Sequence, residues 1–157
     1  MSAENVSLID GAITALERTA PIISTSIDAY VQEGAPNATI HAAKSDHMIW
    51  MRRLAQMLAG RAFLKPEELA DHHSCRLGKW YDAQTDPELT SHPAWAALMG
   101  PHKEVHRAGI AAAETFMSGD MDGAIRLIWD AGEASKDVMR LLDELSGHVT
   151  ESATETD

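Results

Sequence analysis

The sequence predicts an all-α protein, folded as an antiparallel four-helix bundle with short extra helices in the 61–92 connection. The first observation is that apolar residues recur at alternating steps of three and four, which is the period of amphipathic helices. The second is that glycine, proline and aspartate separate these stretches, and the third is that no alternating strand pattern occurs. The four long segments are about 4–33, 37–58, 93–117 and 121–147. Long amphipathic helices joined by breaks are typical of a bundle.

Length and charge limit the class of protein. The 157 residues are expected to form one domain, residues 1–148, followed by a disordered acidic tail, residues 149–157. The net charge of −11 argues against nucleic acid and against anionic membranes, because both attract basic surfaces. No signal peptide and no apolar run of membrane-spanning length is visible. With a single cysteine, Cys75, the chain fits a reducing compartment, so we expect a cytoplasmic protein.

The first predicted helix carries a strict heptad pattern. Its apolar positions are Val6, Ile9, Ile13, Leu16, Ala20, Ile23, Ile27 and Tyr30. Such a pattern is typical of helices that pack as in coiled coils. Two interpretations stay open, because this face could pack inside one chain or against a second subunit. The sequence therefore predicts a homodimer as one outcome.

The second predicted helix begins after Asn37, a favourable capping residue, and ends before Gly60. The inward face of this helix includes His47. A buried imidazole needs partners for its nitrogens. His47 is therefore either a core histidine bonded to a backbone carbonyl or a metal ligand.

The remaining helices place further candidates on inward faces. The third helix presents His102 and His106, which lie one turn apart on one face, and Pro101 could divide the helix into two pieces. The fourth helix is predicted to bury Met121, Ile125, Ile128, Ser135, Val138, Leu142 and Leu145. Between the second and third helices, the irregular segment 61–92 carries Cys75, and so many breaks favour a functional loop.

Three histidines and one cysteine can converge in this fold. His47, His102 and His106 lie on inner helix faces, and the Cys75 segment connects the two helices that carry them. Three imidazoles and one thiolate are a complete tetrahedral set for Zn²⁺. Iron is the rival metal for a bundle, but a di-iron site needs Glu-x-x-His pairs, which the sequence lacks. The competing ligands are His72 and His73, because they neighbour Cys75.

Three short motifs carry a resemblance to a known family. They are His47-Met48-Ile49-Trp50, Cys75-Arg76-Leu77-Gly78-Lys79-Trp80 and His102-Lys103-Glu104-Val105-His106. Together they resemble the chemoreceptor zinc-binding domain, whose pattern is His-x-x-aromatic, Cys-x-aliphatic-Gly-x-aromatic and His-x-x-x-His. The resemblance implies that the matching histidines and cysteine bind one zinc ion inside a helical domain that tends to dimerise. It also implies that the domain senses zinc or oxidants such as hypochlorous acid. Its signalling partner would be a chemoreceptor or a diguanylate cyclase.

Three functions are compatible with these residues. The first is a zinc-binding sensory or regulatory domain that acts on a signalling partner in chemotaxis or cyclic-di-GMP pathways. The second is a purely structural, zinc-stabilised dimerisation module. The third, an enzyme with catalytic zinc, is disfavoured because four protein ligands leave no position for water. We further expect Trp50 and Trp80 to line the site, and candidate acceptors for the imidazole N–H groups are Asp46, Asp71 and Glu104.

Overall fold

The structure is a computed structural model that describes residues 37–155, with side chains as far as Val149. It is all-helical over this range, and no strand occurs between residues 37 and 155. The fold class predicted from the sequence is confirmed to this extent. The predicted first helix, residues 4–33, and its heptad face lie outside the described residues.

Two long helices form an antiparallel hairpin. We name them α4, Pro93–Met117, and α5, Met121–Glu155. A three-residue connection, in which Gly119 has a positive φ of 89°, reverses the chain between them. α4 and α5 pack against each other more extensively than any other pair of described helices. Pro101 lies inside α4 without dividing it.

Helix α1, Ala38–Leu58, completes the packed scaffold. It runs antiparallel to α5, since the Asn37 side-chain amide donates a hydrogen bond to the Ser146 carbonyl at 2.9 Å and Lys44 pairs with Asp143. It runs in the same direction as α4, because residues further along α1 contact residues further along α4. The chain must therefore cross the whole domain between α1 and α4.

The crossover contains the predicted short helices. These are a 3₁₀ turn at Pro66–Glu68, α2 at Arg76–Ala83 and α3 at Pro87–Thr90. Two groups of buried residues lie beside the crossover. One joins α1, α2, α4 and α5 around Leu98, Val105 and Leu142, and the other joins α1, α4 and the start of the crossover around Leu54 and Met57. Apolar burial of this kind is the main stabilising contribution in a helical domain.

Helix α5 differs from the sequence prediction at both ends. Met121 and Ile125 were predicted to be buried, but they are 43% and 48% exposed, so this part of the prediction is wrong. The heptad period identifies an apolar face, but it does not reveal which element covers that face. At the other end, α5 continues to Glu155, whereas the sequence predicts a disordered tail over residues 149–157.

Candidate metal centre

Helix α4 presents two histidines to the interior. His102 and His106 are 1% and 4% exposed, and their ring centroids lie 4.9 Å apart. The i, i+4 spacing stacks them on one face of the helix. The surrounding turns bury Leu98 and Val105, so the helix that carries both imidazoles is anchored in the core.

Cys75 enters the same space from the crossover. It is the N-cap of α2, and its Sγ accepts a hydrogen bond from the Gly78 amide at 3.3 Å. The same Sγ lies 3.3 Å from His102 Nε2. Gly78 is required here because a Cβ at this position would lie 1.9 Å from the His72 carbonyl oxygen. The loop backbone at His72 thus approaches α2 closely at this glycine.

His47 reaches the site from α1. It is 6% exposed, and its ring lies 6.4 Å from the rings of both His102 and His106. Its Nε2 is buried and has no hydrogen-bond partner among the described residues. An unpaired buried nitrogen costs stability, so its presence at a converging set of ligands favours a metal there.

The donor set fits zinc. The potential ligand atoms of Cys75, His102 and His106 all lie within 4.8 Å of one another. Tetrahedral zinc with ordinary Zn–N and Zn–S bonds separates nitrogen and sulfur ligands by about 3.5 Å, close to the Cys75–His102 distance. A cavity of about 190 Å³ adjoins these atoms and is also lined by His47, Trp50 and Arg76. Thus the structure brings three predicted ligands together and places His47 beside them.

The orientation of His106 depends on a backbone group. The His106 Nδ1 donates a hydrogen bond to the Ala70 carbonyl at 2.7 Å, which leaves Nε2 as the nitrogen with the lone pair. The sequence could not reveal this acceptor, since every residue carries a carbonyl.

None of the three carboxylates considered from the sequence accepts a hydrogen bond from a ligand imidazole. Asp46 pairs with Arg76 at 2.7 Å, and Glu104 pairs with Arg107 at 2.6 Å. Asp71 accepts hydrogen bonds from the amides of the following loop. His102 Nδ1 is buried without a hydrogen-bond partner in the described part of the chain.

One of the two tryptophans lines the site as predicted. The ring of Trp50 lies 4.8 Å from that of His106 and occupies space that a side chain at Gly109 would fill. Trp80 does not line the cavity, so that prediction is wrong. It packs edge-on against Trp95 at 5.2 Å, because the turn of α2 directs it towards the start of α4.

Burial keeps the metal-free imidazoles neutral. Desolvation, followed by the charge of His106, lowers the pKa of His47 to about 4, and desolvation lowers that of His102 to about 3. Desolvation also lowers the pKa of His106 and raises that of the Cys75 thiol. At neutral pH the imidazoles therefore have free lone pairs, whereas the thiol must lose a proton before it can bind a metal.

The two competing histidines lie at the edge of the site. The ring of His72 is half-buried, lies 4.1 Å from that of His73 and 6.4 Å from that of His102. His73 is exposed and pairs with Asp82 at 2.8 Å. Neither ring lines the cavity.

The fold and site together define a helical protein with a buried Cys/His cluster that could hold a metal ion. Comparison with protein families then identifies the region: residues 47–113 match the chemoreceptor zinc-binding domain. This match confirms the resemblance seen in the three motifs. All four predicted ligands fall inside the match. The chain has no significant match among curated proteins or solved structures.

None of the helices in the described part of the chain combines the length and the hydropathy that a membrane span requires.

Proposed function

We propose that the protein is a cytoplasmic sensory domain that binds one zinc ion through His47, Cys75, His102 and His106 and has no catalytic activity. The observation that carries this proposal is the convergence of Cys75, His102 and His106 within 4.8 Å inside a region of the chemoreceptor zinc-binding family. A bound zinc would fix the relative position of the three elements that supply its ligands. These are α1, the crossover and α4.

Each residue around the site has a definite part in this arrangement. The Ala70 carbonyl holds His106 in the tautomer that presents Nε2. Trp50 covers the imidazole of His106 and excludes water from it. The Gly78 amide holds Cys75 Sγ in position, and the Arg76–Asp46 ion pair holds the Cys75 segment against α1. Four protein ligands leave no position for a reacting water, which argues against an enzyme.

A structural role for zinc is the second candidate. Without metal, His47 Nε2 is buried and unpaired among the described residues, which favours metal as a stabiliser. Against this, the buried residues of the two apolar clusters that join α1, α4 and α5 include none of the four ligands, and Cys75 only packs against the edge of one cluster. We therefore favour a scaffold that persists when zinc leaves, as a sensor requires.

One experiment separates the two functions. Zinc content and far-UV circular dichroism are measured on the same sample before and after treatment with a chelator. For a sensor we expect zinc to leave while most of the helicity remains. Loss of helicity in step with zinc would support the structural role, and absence of zinc from the untreated protein would contradict both.

The signal to which the domain responds involves Cys75 in our proposal. In the metal-free protein its thiol is protonated, because burial raises its pKa. Zinc binding removes that proton and holds the sulfur as thiolate, the form that oxidants attack. Hypochlorous acid would convert the thiolate to sulfenic acid and chloride, with sulfur oxidised and chlorine reduced, and sulfenic acid is a poor ligand. The crossover would then move and change its contact with a signalling partner. That partner would be a chemoreceptor in chemotaxis or a diguanylate cyclase in cyclic-di-GMP signalling.

We also propose that the domain forms a homodimer and that residues 4–33 add a fourth helix to the bundle within residues 1–148. Support for association comes from α5, where Met121, Ile125 and Trp129 form an exposed apolar row, with Trp129 69% exposed. Exposed rows of this kind mark protein interfaces. Sedimentation of the protein and of Trp129→Glu tests the dimer. Equal masses for both would contradict a role for this row.

A further inference from the structure

The segment that carries Cys75 supplies a second potential ligand. His72 precedes Cys75 by three residues, and its imidazole lies 6.4 Å from that of His102, centroid to centroid. That separation equals the one between His47 and His102 and the one between His47 and His106. By ring position, His72 is as near to His102 as His47 is.

The backbone of His72 is fixed beside the site. Its carbonyl lies 4.0 Å from Cys75 Sγ and packs against Gly78, where even a Cβ would not fit. Only the side chain therefore has to turn for the imidazole to approach the metal. In the structure this ring instead rests on His73, which Asp82 holds at 2.8 Å.

We propose that His72 is a replacement zinc ligand, which takes the position of Cys75 when that sulfur is not available to the metal. Imidazole is a good ligand for zinc, so the exchange leaves a complete set of four imidazoles. This inference rests on the zinc site proposed above and adds to it. Loss of the thiolate would then leave the metal bound, with the imidazole of His72 in place of the sulfur.

The test uses a background that lacks the thiolate but keeps the fold. Serine is suitable at position 75, because Cys75 caps α2 and a serine hydroxyl can accept the same hydrogen bond from Gly78. The proteins compared are the wild type, His72→Ala, Cys75→Ser, and Cys75→Ser combined with either His72→Ala or His73→Ala. His73 is the matched control, since it is the adjacent imidazole but is exposed and bound to Asp82. Far-UV circular dichroism checks that each variant is folded, and Cys75→Ala provides a second background without any oxygen ligand.

Zinc affinity is measured by competition with a chelator, and Co²⁺ spectra report the number of ligands. We expect His72→Ala to bind zinc like the wild type and Cys75→Ser to keep one zinc per chain. Adding His72→Ala to Cys75→Ser should weaken binding by at least about tenfold and remove the four-coordinate Co²⁺ spectrum, whereas adding His73→Ala should change neither. Equal affinity with and without His72 in both backgrounds overturns the inference, as does failure of Cys75→Ser and Cys75→Ala to hold zinc. A wild type that binds no zinc would instead contradict the proposed function.

Discussion

The site is built from two regions that differ in how firmly they are held. The histidines lie on α1 and α4, whose other inward residues belong to the apolar core. Cys75 lies in the crossover, as the N-cap of an eight-residue helix that packs mainly against α1. The imidazoles therefore keep their places as long as the domain is folded. The chemically reactive ligand is on the element that can move at the lowest cost.

The crossover is attached by a small number of specific contacts. Arg76 pairs with Asp46, the residue that precedes His47 on α1. The ring of Tyr81 stacks on that of Trp95 at 4.1 Å, with an angle of 5° between the planes. Both contacts are made by crossover residues that follow Cys75 in sequence. A change at the sulfur can thus be transmitted to α1 through the ion pair and to α4 through the aromatic rings.

The largest loss of zinc binding is expected when a histidine on α4 is replaced. His102→Ala should abolish most zinc binding, because it removes a ligand from a position that no other side chain on α4 can fill. Alanine favours helix, so α4 should persist. Zinc content after gel filtration and circular dichroism measure the two effects separately.

His92→Ala is the control for this variant. His92 caps the same helix by accepting a hydrogen bond from the Ala94 amide at 3.1 Å, so its loss should cost about 1 kcal/mol of stability but no zinc. If His102→Ala retained full zinc content, the assignment of the site would be wrong.

The thiol should dominate the pH dependence of zinc binding. Metal-free His47 and His102 are already neutral at pH 7, since their pKa values are about 4 and about 3. The Cys75 thiol has a raised pKa and is protonated there. Zinc binding should release about one proton, and zinc affinity should rise about tenfold per pH unit near neutrality.

Calorimetry in buffers of different ionisation enthalpy measures the protons released. Cys75→Ser should release almost none, because the remaining ligands are neutral before zinc arrives. Equal proton release by both proteins would show that the sulfur does not bind as thiolate.

The two regions also differ in how well the sequence reveals them. Periodicity locates His47, His102 and His106 on inward faces, because a long helix with a regular apolar face fixes the direction of each side chain. The crossover has no such period. The acceptor for the His106 imidazole is a backbone carbonyl, and Trp80 packs against Trp95 rather than at the site. Neither contact can be recognised from a sequence pattern. The exposure of Met121 and Ile125 escapes prediction for a different reason, namely that periodicity does not show what covers an apolar face.

Acid should destabilise the metal-free scaffold through its buried histidines. Burial lowers the pKa of His47 from 6.5 to about 4, so between these values the unfolded chain binds more protons than the folded one. The neutral imidazole of His47 therefore makes its full contribution to the free energy of unfolding above pH 6.5, and this contribution is lost as the pH falls to about 4. The same applies to His102, whose contribution is lost as the pH falls to about 3. For His47 this amounts to on the order of 3 kcal/mol.

Urea unfolding of the metal-free protein from pH 7 to pH 4 measures this loss. His47→Gln should have a flatter profile over the same range, because glutamine does not titrate. Parallel profiles for the two proteins would contradict burial of a neutral His47.

The smallest effect is expected from the ion pair that joins the two regions. Arg76 and Asp46 are roughly one-third exposed, so their pairing is screened by water and contributes at most about 1 kcal/mol to global stability. Its local effect should be larger, since it ties the residue after Cys75 to the residue before His47. In Arg76→Gln we expect faster hydrogen exchange of amides in residues 71–83, with little change in α4 and in the melting temperature. Arg107→Gln is the matched control, because it removes a similar pair with Glu104 on the exposed side of α4. If Arg76→Gln and Arg107→Gln left exchange in residues 71–83 equally unchanged, the pair would not be what holds the Cys75 segment against α1.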